Sequence, residues 1–315
     1  MRAGVVAKGA GAVTAMTVGT VIDIDELIAL RSAARDMRLH AARRVYSGHV
    51  GGFLSPLRGR GLMYEETRIY QAGDDTRHID WRVTARTDRP HTKVFREERE
   101  RPVWFVLDQG VHMQFGTRVA FKSVVAARLA ATLAWSARAQ GDRVGAVVFD
   151  DRHLAWLTPL GGDRGVVHSL RMFAAARTRM PCSGLADALQ RTAHAARPGS
   201  LIYVLSDFTH WDDGEARSAQ RLARHCDVVL VRVYDPLEAA PPPAGLYGVS
   251  NGQHNVLWDT RVEALAARYS DEFATLTRTL QTFCQRQRIA YVEQGTHTPV
   301  KHTLAGIATA HGALT

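Results

Sequence analysis

A chain of 315 residues, 46% apolar and 23% charged, has the composition of a folded protein of about two domains, which excludes wholesale disorder and a fibrous architecture. Its net charge of +9 is carried almost wholly by arginine, because Lys8, Lys93, Lys122 and Lys301 are the only lysines. The best candidate for a membrane span, Ser123 to Ala137, is too short and carries Arg128, so no integral membrane segment is expected; three scattered cysteines (Cys182, Cys226, Cys284) without CxxC or His/Cys metal spacing read as reduced, buried thiols of a cytoplasmic protein.

Residues 1–20 are small and weakly apolar and lack a compact hydrophobic centre, so they read as a flexible leader and not as a signal peptide. From Asp23, a candidate N-cap, Ile24, Leu27, Ile28 and Met37 follow helical spacing, and this helix is expected to fade between Arg43 and Ser47. Glycines and Pro56 make Gly48 to Gly61 a loop. Strand-like stretches follow at Met63 to Tyr70 and His91 to Glu97. Residues 31–101 hold 16 Lys/Arg against 10 Asp/Glu, so most of the excess charge sits here. Ion pairing, helix ends and solubility account for such a surplus without a ligand. Nucleic-acid binding by this Arg-rich 31–101 segment is the alternative reading, although no recognised nucleic-acid motif accompanies it.

At Pro102 the pattern changes. Val103 to Leu107 is a short apolar run ending in Asp108, and a long amphipathic stretch from Ala120 to Gln140 is closed by Gly141 as a C-cap. A strand at Val144 to Phe149, helices at Gly165 to Ala176 and Gly184 to Ala196, a strand at Leu201 to Leu205 followed by Ser206-Asp207, a helix at Asp213 to His225 and a strand at Val228 to Val233 come next. Short apolar runs alternating with helices predict a parallel sheet covered on both faces, with its ligand edge at the carboxyl ends of the strands. Two of those ends carry aspartates, Asp108 and Asp207. After Pro241 to Pro243, a hairpin is expected from Leu246 to Ser250 and Asn255 to Asp259. A helix from Thr260 to Arg288, a strand at Ile289 to Val292 and a tail or docked helix complete the chain.

Catalytic signatures are missing: there is no GxxxxGK[ST] loop, no HExxH, and neither GxGxxG nor GxSxG at a strand-to-helix turn, since Gly248-Val249-Ser250-Asn251-Gly252 falls in the expected hairpin. The chain therefore reads as a non-enzyme, with no catalytic or cofactor-binding residue assigned; a hydrolase using Asp108 and Asp207 as a metal-assisted pair is the weakest alternative.

The strand-end pattern does carry a resemblance. Asp108-Gln109-Gly110-Val111-His112, then Ser183 ahead of Gly184-Leu185, then Asp207 resemble in order the metal-ion-dependent adhesion site of von Willebrand factor A domains, whose first string reads Asp-x-Ser-x-Ser. Asp108 and Asp207 match and Ser183 stands for the family's threonine, but Gly110 has no side chain and His112 puts an imidazole where a hydroxyl is wanted. The resemblance implies an α/β, Rossmann-like parallel sheet flanked by helices, and a degenerate metal site at Asp108, Ser183 and Asp207 with His112 as a further candidate. Mg2+ wants oxygen ligands, and an imidazole suits Zn2+, Ni2+ or Cu2+ better. The plainer use of both aspartates is to cap helices and accept loop amides, and no cofactor is expected beyond that one candidate cation.

A second resemblance covers residues 25–236. Gly59-Arg60-Gly61-Leu62, Glu65-Glu66-Thr67-Arg68-Ile69-Tyr70, Gly73-Asp74-Asp75-Thr76-Arg77-His78-Ile79-Asp80-Trp81-Arg82, Ala85-Arg86-Thr87 and Lys93-Val94-Phe95-Arg96-Glu97-Glu98 closely resemble the signature of the bacterial "domain of unknown function 58" family, and Gly141-Asp142-Arg143, Leu205-Ser206-Asp207-Phe208 and Val233-Tyr234-Asp235-Pro236 continue it. If residues 80–82 are extended, Asp80 and Arg82 share one face and Trp81 takes the other. Trp81 then either plugs a small core, fixed by ion pairs among Arg68, Arg77, Arg82, Arg86 and the nearby acids, or anchors a partner together with Arg82.

The family resemblance implies a protein-interaction adaptor for a MoxR-type AAA+ ATPase, aiding chaperone-like assembly or maturation of a client complex. His112, Phe115, Phe208 and Trp211 are then the aromatic anchors of a docking rim. The resulting division is a leader at 1–20, an N-terminal helix with a β-rich signature subdomain at 21–101, a von Willebrand factor A-like domain at 102–292 and a tail at 293–315.

Overall fold

The computed structural model describes residues 19–35, 62–71, 74, 76–97, 100–175, 180–182, 184–250 and 255–313. The sequence readings for the leader up to residue 18 and for the 48–61 loop fall outside these residues. The chain divides into two units, residues 1–43 with 101–315, and residues 44–100.

Helix α1 (Ile24–Arg35) opens the larger unit. The smaller unit follows, with strand β1 (Leu62–Ile69), a 3-10 turn (Thr76–His78), helix α2 (Trp81–Thr87) and strand β2 (His91–Glu97). β1 and β2 pair antiparallel, from Leu62 opposite Glu97 to Ile69 opposite His91.

The extended reading of residues 80–82 is overturned. Asp80 accepts the backbone N–H groups of Arg82 (3.1 Å) and Val83 (3.2 Å) and so starts a helix at Trp81. Thr84 ties that helix to the hairpin by accepting the His91 N–H at 3.0 Å. Trp81 faces outward and is 70% exposed, so it plugs no core. Of the charges read as an ion-pair network, Arg68 pairs with Asp74 at 2.7 Å, and Asp80 is approached by Lys93 at 3.6 Å.

The larger unit resumes with β3 (Pro102–Asp108), α3 (Lys122–Ala139), β4 (Arg143–Phe149), β5 (His153–Leu160), α4 (Gly162–Ala174), β6 (Met180–Pro181), α5 (Leu185–Ala195), β7 (Leu201–Ser206), α6 (Asp213–Ala223), β8 (Asp227–Tyr234) and a short α7 (Pro236–Ala239). The hairpin β9 (Leu246–Ser250) and β10 (Asn255–Asp259), α8 (Glu263–Gln287), β11 (Ala290–Gly295) and α9 (Val300–Ala313) complete it.

Seven strands form one sheet in the order β11-β8-β7-β3-β4-β5-β6. The first five are parallel; β5 runs antiparallel to β4, and the short β6 runs antiparallel to β5 and so in the direction of the first five. β3 and β7 are buried along almost their whole length, which explains their uninterrupted apolar sequences: both faces are covered. Leu129 and Leu133 of α3, Phe173 of α4 and Ile307 of α9 pack one face, and Leu189 of α5, Leu222 of α6 and Leu280 of α8 pack the other. This three-layer α/β arrangement is compatible with a Rossmann-like fold.

Two assignments from sequence change. Helix α1 belongs with the larger unit and not with the signature subdomain. α3 is buried on nearly every side, and α1 covers the side turned away from the sheet. Leu27 is buried there, its carbonyl accepts from Trp135 Nε1 at 3.1 Å, and Arg128 donates to Glu26 at 3.0 Å. At the other end the last strand runs on to Gly295, and α9 docks through buried Leu304 and Ile307, so residues after 292 are part of the fold.

Candidate functional site

Strand register makes the site. β3 and β7 are neighbours, with Leu107 opposite Leu205, so Asp108 and Ser206-Asp207 leave the sheet side by side at its carboxyl edge. Ser206 Oγ donates to Asp108 Oδ2 at 2.6 Å, and the Gly110 N–H donates to Asp108 Oδ1 at 2.9 Å. After Asp207 the chain turns through Phe208, whose φ of 55° lies in the left-handed region that a bulky residue rarely adopts. The turn is held by the Phe208 N–H donating to Ser206 Oγ (3.1 Å) and the Thr209 N–H donating to Asp207 Oδ1 (3.0 Å).

Two cations of the chain itself fill this edge. His112 Nε2 lies 3.0 Å from Asp108 Oδ2 and 3.6 Å from Asp207 Oδ1. Lys122, the first residue of α3 and almost fully buried, places Nζ 2.6 Å from Asp207 Oδ2 and 2.5 Å from Glu238 Oε1. Burial alone lowers the His112 pKa, but the hydrogen bond and charge of Asp108, with the charge of Asp207, outweigh it and push it up to about 9. Burial likewise opposes the charge on Lys122 and on Asp207, and in each case the partner wins: the Lys122 pKa is raised and that of Asp207 lowered.

Gly110 and His112 are linked by space. A Cβ on Gly110 would lie 2.5 Å from His112 Cε1 and 2.9 Å from Asp151 Oδ1. The imidazole therefore fills the space that a side chain at position 110 would enter.

A buried second tier holds the loops. Asp235 accepts the Thr117 N–H (2.9 Å) and Oγ1 (2.6 Å), Thr296 Oγ1 (2.7 Å) and the Leu237 N–H (2.9 Å). Glu238 closes the capping box by accepting the Asp235 N–H at 2.9 Å, and so links this tier to Lys122. On α6, Glu215 is only 8% exposed, and its Oε2 has no hydrogen-bond partner among the described residues. Burial, then the negative charges of Asp212, Asp108 and Asp207, push its pKa up to about 8.

The residues picked out from sequence separate into groups. Asp108, Asp207 and His112 come together, their donor atoms within 4.8 Å of one another. Ser183 lies outside the described residues. Phe115 is half-buried, with the Lys122 ammonium 6.0 Å from its ring centroid. Phe208 is 2% exposed and cannot be a surface anchor: its ring meets Trp211 edge-on at 5.7 Å, and Trp211 in turn packs on Phe283 at 5.1 Å. Phe208 therefore closes the core between β7 and α8, with half-buried Trp211 against it. The exposed apolar side chains of the loop between β3 and α3 are Val111 (67%) and Val119 (61%). Lys122, Glu238, Asp235 and Glu215 were not singled out as site residues. Two of them had a signal: Lys122 is one of four lysines and heads a long helix, and Asp235 follows the strand from Val228 to Val233 within the family signature.

The family described as "Protein of unknown function DUF58" matches residues 66–282. Uncharacterized proteins of Mycobacterium bovis and Mycobacterium tuberculosis are similar to the chain, 27% identical over 247 residues that cover 76% of it and 76% of each relative. Among solved structures, the chain is similar to the conserved hypothetical protein BatB from Bacteroides thetaiotaomicron. The TM-score is 0.43 at 17% identity, covering 68% of this chain and 98% of that one.

Proposed function

The chain belongs to the DUF58 family, and we propose that it is a non-enzymatic adaptor: a von Willebrand factor A-like domain whose degenerate metal-ion-dependent adhesion site shapes loops for a protein partner. The observation that carries this reading is the internal neutralisation of the sheet edge. All four oxygens of Asp108 and Asp207 accept hydrogen bonds from within the chain, and the two fixed cations, His112 and Lys122, sit against them.

A magnesium site of the adhesion type needs hydroxyl and carboxylate oxygens converging on one ion. Gly110 supplies none, the His112 ring fills its place, and the Lys122 ammonium lies against Asp207. This donor set does not fit a hard cation. Nor does His112 suit general-base work near neutral pH, since it holds its proton up to about 9.

What such a fixed centre offers is a rigid rim. Asp108 and Asp235 hold the two ends of the β3–α3 loop, which presents Val111 and Val119 to solvent. Exposed apolar side chains framed by polar ones suit a protein partner. The partner class is the one the family resemblance implies, a MoxR-type AAA+ ATPase, with a client complex undergoing assembly or maturation.

Capture of a MoxR-type ATPase from the same organism by the immobilised full-length chain tests the proposal. Val111→Asp with Val119→Asp is expected to cut capture by about tenfold, the size of effect a buried interface anchor carries, while melting like the wild type. Unchanged capture removes the rim from the account.

A further inference from the structure

The smaller unit carries a surface that the sheet-edge reading does not use. Helix α2 packs inward through Val83 and Thr84 and turns Trp81, Arg82, Ala85 and Arg86 to solvent. Arg82 and Arg86 are four residues apart and therefore neighbours on the helix surface, where two like charges repel. Neither guanidinium makes an ion pair among the described residues. The nearby acids serve elsewhere: Asp74 holds Arg68, and Asp80 caps the helix and faces Lys93. Beside the two arginines, Trp81 keeps 70% of its surface in water. An exposed tryptophan next to two unneutralised arginines combines the residue types that most often anchor interfaces.

We propose that this face of α2 is a docking surface for an acidic peptide segment of a partner protein, its carboxylates paired with Arg82 and Arg86 and an apolar side chain laid on Trp81. Charge complementarity and size favour this occupant over a nucleic acid. The helix has seven residues and so spans about 10 Å, room for one short peptide segment but not for an extended run of backbone phosphates. Residues 44–100 are close to charge-balanced, with 11 Lys/Arg against 9 Asp/Glu, whereas nucleic-acid backbones are held by extended runs of cations. The guanidinium fork matches a carboxylate bidentately, and two forks one helical turn apart suit two acidic side chains of a peptide.

Fluorescence anisotropy with the full-length chain tests the surface. The probe is a short fluorescein-labelled peptide of repeating Glu-Glu-Leu, compared with its Gln-Gln-Leu analogue and with a short single-stranded oligothymidine. The acidic peptide is expected to bind and the neutral one not. Trp81→Ala, or Arg82→Glu with Arg86→Glu, should weaken it about tenfold. Arg217→Glu with Arg221→Glu makes the same charge change at the same spacing on α6, where no exposed tryptophan adjoins, and should weaken binding less than about twofold. The inference is overturned if the wild type ignores the acidic peptide, if the α6 variant loses as much as the α2 variant, or if oligothymidine binds more tightly than the peptide. Val111→Asp with Val119→Asp, which disables the sheet-edge rim, should leave peptide binding intact, so the two proposals fail separately.

Discussion

Lys122 Nζ lies 2.6 Å from Asp207 Oδ2, joining the first turn of α3 to the end of β7 across 85 positions of sequence. Both side chains are almost fully buried. A buried pair of this kind is a weak source of net stability, but losing one partner strands the other charge in a low dielectric.

Lys122→Met is therefore expected to destabilise the protein by about 3 kcal/mol, because Asp207 and Glu238 lose the ammonium they share and Asp207 keeps only His112 as a counter-charge. Adding Asp207→Asn should restore part of the loss, since the stranded charge is then gone. Urea unfolding of the two variants checks this, and a double variant no more stable than Lys122→Met alone contradicts the pairing.

The link between Gly110 and His112 predicts a non-additive pair. Gly110→Ser alone places its Cβ against the His112 ring at 2.5 Å and should cost about 1–3 kcal/mol. With His112→Ser added, the ring's share of that cost should vanish, leaving only the contact with Asp151 Oδ1. A double-mutant cycle by thermal unfolding measures the coupling, and simple additivity would show that the two positions do not share this space.

How much of this was legible in the sequence depends on how local the cause is. β3 and β7 announced themselves because burial on both faces leaves a purely apolar string, and the strand ends then placed Asp108 and Asp207 on one edge. β5 escaped notice: it runs antiparallel near the sheet margin, is only partly buried and contains Pro159. Residues 80–82 were misread because alternation of side chains says nothing about a capping aspartate that turns the same residues into a helix start. Phe208 was misread because an aromatic residue after a strand looks the same whether it lines a rim or closes a core. Lys122 and Glu238 lie 116 positions apart, and nothing local to either names the other.

Glu215 gives a pH signature. Its folded pKa, pushed up to about 8, exceeds the ordinary glutamate value of 4.5, so the folded state holds a proton that the unfolded chain has released between those values. Its contribution to stability is present below pH 4.5 and is lost as pH rises toward 8. Glu215→Gln, which cannot ionise, should raise the melting temperature at pH 8 and change it little at pH 4.5. An equal effect at both pH values contradicts the buried, protonated carboxyl.

His112 adds to the same trend on the alkaline side. Its folded pKa, pushed up to about 9 from 6.5, means that its ion pairs stabilise the fold fully below pH 6.5 and fade as pH passes 9. Wild-type melting temperatures should fall between pH 6.5 and 9.5, and His112→Gln should flatten that fall. A histidine signal titrating near pH 6.5, with none near 9, in the NMR spectrum of the wild type would contradict the bridge to Asp108.

The central claim is that the edge formed by Asp108 and Asp207 is already neutralised by His112 and Lys122. Calorimetric titration of the full-length wild-type chain with Mg2+, Mn2+ and Zn2+ near neutral pH tests it most directly. The account predicts no stoichiometric site of micromolar affinity for any of the three. A one-to-one micromolar site that disappears in Asp207→Ala, with the variant still folded, would contradict it.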